Sequence, residues 1–228
     1  MNRVTAIIPV LNEEKALGHV LDAVKKTAVD RIIVVDNGST DSSASLALSR
    51  GAEVLHEPRR GYGSACLKGI EHLSTSPPEI VLFLDGDYSD YPEEASLLIG
   101  PIMSGNADLV VGSRTSSSQS SKALLPQARF GNWLACFLIN RLYGYKYTDL
   151  GPFRAIRWDR LIDLEMADRD WGWTVEMQVK AVKQGIQVME VPVQYRPRIG
   201  QSKISGTVLG SIKAGYKIIL TIFKECLK

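Results

Sequence analysis

Short apolar runs recur through the first half of the chain, separated by stretches in which apolar residues return every three or four positions. The runs predict strands near Val4–Val10, Arg31–Asp36, Ala52–His56, Ile80–Asp85 and Asp108–Gly112, because uninterrupted apolar segments of this length suit strands covered on both faces. Between them, Glu13–Thr27, Asp41–Arg50, Gly63–Ser74 and Pro92–Ser104 carry helical spacing. This alternation predicts an α/β fold built on a mostly parallel, Rossmann-like sheet flanked by helices. Such sheets bind ligands beyond the carboxyl ends of their strands. The residues placed there are Asn12-Glu13-Glu14, Asp36-Asn37-Gly38-Ser39, Arg59-Arg60-Gly61-Tyr62-Gly63, Asp85-Gly86-Asp87 and Ser113-Arg114.

Past Arg114 the pattern changes. The Ser-rich stretch Thr115–Ser121 reads either as a linker or as a mobile active-site loop. Helical spacing returns over Gln127–Tyr143 and Val175–Gln184, and Val188–Tyr195 is strand-like, with Pro192 placing it at a sheet edge. From Thr207 to Lys228, Val208, Leu209, Ile212, Tyr216, Ile219, Ile222, Phe223 and Leu227 recur at helical spacing beside Lys213, Lys217, Lys224 and Lys228. That C-terminal amphipathic helix either packs on its own domain or lies on an anionic membrane surface. Trp133, Phe137, Leu138 and Leu142 form a second apolar stripe with the same two readings. No internal repeat or second core is evident, so one domain over residues 1–228 is expected, with a first part (1–114), a second (115–206) and the terminal helix (207–228).

Composition narrows the partners. The chain has 228 residues, 45% of them hydrophobic, enough for one sizeable core. A net charge of +2 gives no sign of a nucleic-acid partner. Cys66, Cys136 and Cys226 are widely spaced and match no disulfide or metal pattern, which fits a reducing cytoplasm. The first residues lack a signal peptide's apolar stretch, and no apolar run reaches the length of a membrane span. A soluble or peripheral protein is expected; the sequence does not address its oligomeric state.

The apolar run Ile80–Leu84 delivers Asp85-Gly86-Asp87 to a strand end. Two carboxylates around one glycine read either as a surface turn or as half of a site for a hard cation, Mg²⁺ or Mn²⁺, that shares its oxygen ligands with a substrate's phosphates. The polar residues converging from neighbouring strand ends favour the second reading.

Taken in order, Ile8–Glu14, Val34–Asp41, Asp85-Gly86-Asp87, Gly112-Ser113-Arg114, Asp149 with Gly151-Pro152-Phe153-Arg154, and Gly200-Gln201-Ser202-Lys203 resemble the inverting family-2 glycosyltransferases of GT-A fold. The similarity is greatest to the branch containing the dolichyl-phosphate mannose and glucose synthases. The resemblance implies a metal-dependent hexosyltransferase that takes its sugar from a nucleotide-sugar, such as UDP-glucose or GDP-mannose, and passes it to a polyprenyl or dolichyl phosphate at the cytoplasmic membrane face. Within the family the alternative is a soluble or hydroxyl-bearing acceptor. Outside it stand a non-catalytic nucleotide-sugar-binding module and a nucleotidyltransferase, though the latter usually carries a Gly- and Arg-rich loop where this chain has Asn12-Glu13-Glu14.

Residue by residue, the resemblance implies that Pro9, Leu11, Asn12, Glu13 and Asp36 line the nucleotide pocket together with Asp85, Gly86 and Asp87, and that Asp85 and Asp87 hold the metal. Asp36 has helix capping as its alternative role. The mannose-phosphate synthases often place a Gln two residues after the second Asp; this chain has Ser89 followed by Asp90, which leaves the third ligand open. Arg114, Arg154, Arg198, Ser202 and Lys203 are implied to meet the acceptor phosphate, with Asp87, Arg114, Glu176 and Arg198 as the catalytic set. Glu176 reads either as an acceptor-side acid or as a first-turn helix acid. Trp171 and Trp173 either stack on sugar or lipid or pack in the core. Arg59-Arg60 with Gly61-Tyr62-Gly63 is expected in the donor-side loop.

Overall fold

The computed structural model describes residues 3–115, 120, 123–200 and 208–227. Among them a seven-stranded sheet forms from β1 (Val4–Val10), β2 (Arg31–Asp36), β3 (Glu53–His56), β4 (Ile80–Phe83), β5 (Leu109–Ser113), β6 (Arg154–Arg157) and β7 (Val188–Pro192), in the order β3-β2-β1-β4-β6-β5-β7. The pairs β1–β2, β1–β4, β2–β3 and β5–β7 are parallel, whereas β6 runs antiparallel to both β4 and β5. The mostly parallel sheet expected from the sequence is therefore present, and the second half of the chain supplies β6 and β7 to it.

Successive side chains on a strand point to opposite faces, and here both faces are apolar. Ile8 and Leu82 face a cluster with Leu17 and Leu21 of α1 (Leu17–Val24) and Leu98 of α4 (Ala95–Met103), whereas Ile7 and Phe83 face one with Cys66 of α3 (Tyr62–Leu73) and Trp173. All of these side chains are fully buried. A shorter helix, α2 (Ser43–Ser49), follows β2, and a single 3-10 turn over Pro92–Glu94 leads into α4.

Two elements were absent from the expected pattern. β6 reads Arg-Ala-Ile-Arg, too polar and too short to register as an apolar run, and α6 (Trp158–Asp163) follows it directly. Pro192 does end an edge strand, as anticipated. β4 stops at Phe83, so Asp85-Gly86-Asp87 leaves the ladder altogether.

A third cluster joins α5 (Pro126–Tyr143), α7 (Trp173–Lys183) and α8 (Val208–Cys226) through Ile139, Val175, Val179 and Ile222. The inner face of the C-terminal helix is thus packed on its own chain. The side chains of Val208, Leu209 and Ile212 lie outside the described residues. Outward, α8 exposes Tyr216, Leu220 and Phe223, and α5 exposes Phe130, Trp133 and Phe137, with the Trp133 and Phe137 rings stacked at 5.8 Å. These two helices carry Arg129, Arg141, Lys213, Lys217 and Lys224 against one acid, Glu225, which is buried. No helix among the described residues is long and apolar enough to cross a membrane.

Candidate active site

The ends of β1, β2 and β4 open onto a cavity of about 340 Å³. Its walls come from Pro9, Val10, Leu11 and Glu13 after β1, Asn37 after β2, and Asp85, Gly86 and Asp87 after β4, with Arg60, Gly61 and Tyr62, then Asp170 and Trp171, and finally Arg198 closing it. Six of the eight residues expected on the nucleotide side, Pro9, Leu11, Glu13, Asp85, Gly86 and Asp87, therefore line it. Gly86 is required by the approach of β1, since a Cβ there would meet Val10 Cγ2 at 2.9 Å.

The other two, Asn12 and Asp36, stand behind the wall. Asn12 adopts a left-handed φ of 54° and accepts the Thr40 amide on Oδ1 at 2.7 Å. Asp36 accepts the Ser39 amide at 2.9 Å and lies 3.2 Å from His56 Nδ1. Burial would raise its pKa, but these partners outweigh burial and hold the carboxyl below its usual value. Asn37, placed at the strand end from the sequence but given no role there, holds the opposite loop: its Nδ2 donates to Glu57 O and Arg59 O, and its Oδ1 accepts Gly61 N.

Three acids crowd the metal-side rim. Asp87 Oδ1 accepts Ser89 N at 2.8 Å and Ser89 Oγ at 2.6 Å, so Ser89 orients the second aspartate from behind. Asp90, 1% exposed, accepts the Asp85 amide at 3.4 Å. Burial, then the neighbouring Asp87 charge, pushes Asp85 up to about 7, and burial with the Asp85 and Asp87 charges pushes Asp90 well above the usual range. Among the described residues, Asp85 Oδ1 and Asp90 Oδ1 are buried without a hydrogen-bond partner. Tyr88, between them, holds a φ of 61° that non-glycine residues seldom adopt.

The rim's cations come from the second half of the chain. Arg198 Nη2 lies 2.9 Å from Glu13 Oε1 and 3.0 Å from Asp87 Oδ2. Arg114 is committed to Asp149: its Nε donates to Oδ2 and its Nη2 to Oδ1, both at 2.8 Å, and its amide donates to Oδ2 at 2.7 Å. Burial alone would lower the Arg114 pKa, yet Asp149 raises it. The charge of Arg114 still reaches Asp85, whose pKa it lowers together with Arg198.

Two expected site residues are elsewhere. Arg154 is fully buried, donating to Gly151 O, to Thr174 O at 2.9 Å and to Gln178 Oε1 at 3.4 Å. A guanidinium spent on main-chain carbonyls under the sheet does not meet an acceptor phosphate. Glu176 is also buried; it accepts the Ala167 and Asp168 amides and pairs with Lys180 at 2.9 Å. It anchors the loop that carries Asp170 and Trp171 and is not itself open to the cavity. Ser202 and Lys203 lie outside the described residues.

The loop at 168–171 explains two glycines. A Cβ on Gly61 would fall 2.0 Å from Arg169 O, and one on Gly63 2.1 Å from Asp168 O. The Gly-Tyr-Gly segment thus makes room for another backbone, with Ser64 N donating to Arg169 O at 2.9 Å. That contact brings Asp170 and Trp171 to the cavity, whereas Trp173 packs edge-on against Phe83 at 6.0 Å. Burial, then Asp168, raises the Asp170 pKa. Trp171 was named in the sequence with stacking as one of its two readings, whereas Asp170 was missed, although an acid ahead of a Trp-Gly-Trp run and a helix was its signal.

Residues 5–163 match the family model described as glycosyl transferase family 2. An uncharacterized glycosyltransferase of Mycobacterium tuberculosis is 38% identical over 212 residues, covering 92% of this chain and 94% of its own. The dolichyl-phosphate hexose transferase of Haloferax volcanii is 28% identical over 219 residues, covering 95% and 91%. In fold, the chain is similar to glucosyl-3-phosphoglycerate synthase from Mycobacterium tuberculosis, crystallised with Mn²⁺, UDP and glucosyl-3-phosphoglycerate: TM-score 0.76 at 21% identity, covering 99% of this chain and 80% of that one.

Proposed function

The chain belongs to glycosyl transferase family 2, and from that membership we propose that it moves a hexose, with inversion, from a nucleotide-sugar to a polyprenyl or dolichyl phosphate. The observation that carries the reading is the cavity itself, where strand-end acids meet Arg198 at one opening. The dolichyl-phosphate relative supports the acceptor class.

The residues fit a divalent cation. Asp85 and Asp90 present buried carboxylate oxygens without partners among the described residues, and Asp87 is oriented by Ser89. No group of three or more His, Cys, Asp or Glu side chains among the described residues forms a complete metal site, so Asp85 and Asp87 would hold Mg²⁺ or Mn²⁺ with the donor's phosphates completing its ligands. Bound there, the ion would neutralise charge on the leaving nucleoside diphosphate. The Mn²⁺ and UDP of the structural neighbour support that assignment.

The protein's own part is positional. Pro9, Leu11 and Glu13 take the nucleotide, and Trp171 offers a flat apolar wall to the sugar. Arg198, with the charge of Arg114 behind it, draws the acceptor phosphate to the anomeric carbon's open face. A phosphomonoester oxygen is ionised near neutral pH, so attack needs no general base; the engaged Glu176 is consistent with that. A lipid acceptor would bring the enzyme to the cytoplasmic membrane face, where the aromatic, cationic surface of α5 and α8 suits anionic headgroups.

One observation favours a second reading. Asp170 lines the cavity with a raised pKa, and a hydroxyl acceptor would require such a base. Product mass from a panel of nucleotide-sugars, with and without polyprenyl phosphate, tests the choice: glycosyl phosphate lipid is expected. Transfer to soluble hydroxyl acceptors alone, abolished by Asp170→Asn, would replace the phosphate reading.

A further inference from the structure

The segment after β7 doubles back across the metal-side rim. Tyr195 pairs with Asp90 in an isolated antiparallel bridge, Arg196 N donates to Ser89 O at 3.0 Å, and Ile199 N donates to Asp87 O at 3.0 Å. Arg196 pins this strap in place: its guanidinium lies 3.4 Å from the Tyr88 ring centroid and 4.0 Å from that of Tyr91, and it donates to Tyr88 O and Asp90 O at 2.7 and 2.9 Å. The backbone of the strap is thus fixed to the very loop that bears the acids. Arg198 points inward from it, with one nitrogen shared between Glu13 and Asp87.

Arg114 and Arg198 are the rim's two arginines, but they are held differently. Arg114 is locked by a two-pronged contact to a fully buried aspartate. Among the described residues, Arg198 pairs only with groups expected to bind the donor and its metal, and its Nε is buried without a partner. Charge balance therefore makes Arg198 the exchangeable cation of the rim. A divalent ion held by Asp87 would meet the guanidinium already on that carboxylate, and like charges that close repel.

Resting on the proposed donor and acceptor assignment, and deepening it, we propose that Arg198 is a resident counter-cation. It holds Glu13 and Asp87 before the donor arrives, is displaced when metal and nucleotide-sugar load, and is then available to the acceptor phosphate. Because the strap is anchored at Arg196 and Ile199, the exchange needs a side-chain rotation and no loop opening. The consequence is an order of binding: donor first, phosphate second. Arg198 thereby acts as a positioning residue for the metal as well as a phosphate contact.

The test uses the full chain without donor. Free Mn²⁺, read by electron paramagnetic resonance, is titrated against the parent, Arg198→Ala and Arg198→Lys. Removing the competing cation should tighten Mn²⁺ binding about tenfold in Arg198→Ala, with Arg198→Lys between the two, while turnover with acceptor falls. Equal or weaker Mn²⁺ binding by Arg198→Ala, its circular dichroism unchanged, overturns the proposal. This titration contains no acceptor, so it stands apart from the acceptor assignment. In a second measurement, a short-chain polyprenyl phosphate should bind the parent at least several-fold more tightly with Mn²⁺ and nucleoside diphosphate present than without; equal affinity in both states refutes the exchange even if Mn²⁺ binding tightens.

Discussion

The strand-end rim and the outer face of α5 and α8 solve opposite problems. At the rim, charge is taken out of water: Asp87 and Asp90 are buried after β4 beside the part-buried Asp85, and their proximity is tolerated because Arg114 and Arg198 stand beside them. On the outer face, apolar area is left in water: Phe130, Trp133 and Phe137 are all more than half exposed, and Tyr216 on the neighbouring helix is 68% exposed. A buried set of like charges needs a counter-cation, and an aromatic stripe left exposed among lysines and arginines is the kind of surface that marks a contact face. Under the proposed function the first serves a small charged ligand and the second an extended one.

Asp149 holds the rim's Arg114 in place, and removing its carboxylate should have the largest effect. Its carboxylate holds Arg114 of the rim and its carbonyl accepts Gln178 Nε2 of α7 at 3.0 Å. Asp149→Ala leaves Arg114 nearly buried and unpaired, a change that costs about 3–5 kcal/mol of folding stability. Urea denaturation measures it. A loss no larger than the ~1 kcal/mol of an exposed pair would show that the rim does not depend on this link.

Asp87→Ala should separate the regions. It removes one anionic metal contact, releases Ser89 and leaves Arg198 with Glu13, so metal-dependent nucleotide binding should disappear and kcat/KM should fall by about 10²–10³. Chelation of the parent should have the same consequence. Association with anionic vesicles should be unchanged, because the outer face keeps every residue. Calorimetry with sedimentation compares the two, and nucleotide binding that survives both substitution and chelator would remove the metal from the mechanism.

How much of this contrast the sequence could carry depends on which forces wrote it. β1, β2 and β4 were legible because a strand covered on both faces leaves an uninterrupted apolar run, and their ends followed by position alone. β6 was not, since Arg154 points inward from it and its charge hides a buried strand. The same residue misled about the site: residue type shows that an arginine seeks oxygen, but not that the oxygens will be carbonyls of Gly151 and Thr174. Glu176 failed likewise, its partners being the amides of Ala167 and Asp168. Gly61 and Gly63 were placed in the donor-side loop, but why both are glycine was not legible, because the backbone that needs their space, at Asp168 and Arg169, lies far along the chain. For the outer face, amphipathic spacing could not say whether α8 packs or docks; the structure packs one side of it through Ile222 and leaves Tyr216, Leu220 and Phe223 exposed on the other.

The smallest expected effect belongs to that face. Trp133 and Phe223 are 59% and 44% exposed, so replacing both by Ser should leave the fold and the donor cavity untouched. Each aromatic side chain carries about 150–250 Å², of which roughly half is available to a bilayer. At ~25 cal/mol per Å² that is at most about 2–3 kcal/mol per residue, and shallow immersion at the headgroup boundary reduces the pair to about a tenfold loss of vesicle affinity. High salt should weaken the parent and the variant in the same proportion, because Arg129, Arg141, Lys213 and Lys224 remain in both. Sedimentation with anionic vesicles checks it, alongside nucleotide binding as the control. Equal pelleting of parent and double variant would mean that the exposed aromatics do not enter a membrane, and the contrast with the rim would then be one of packing alone.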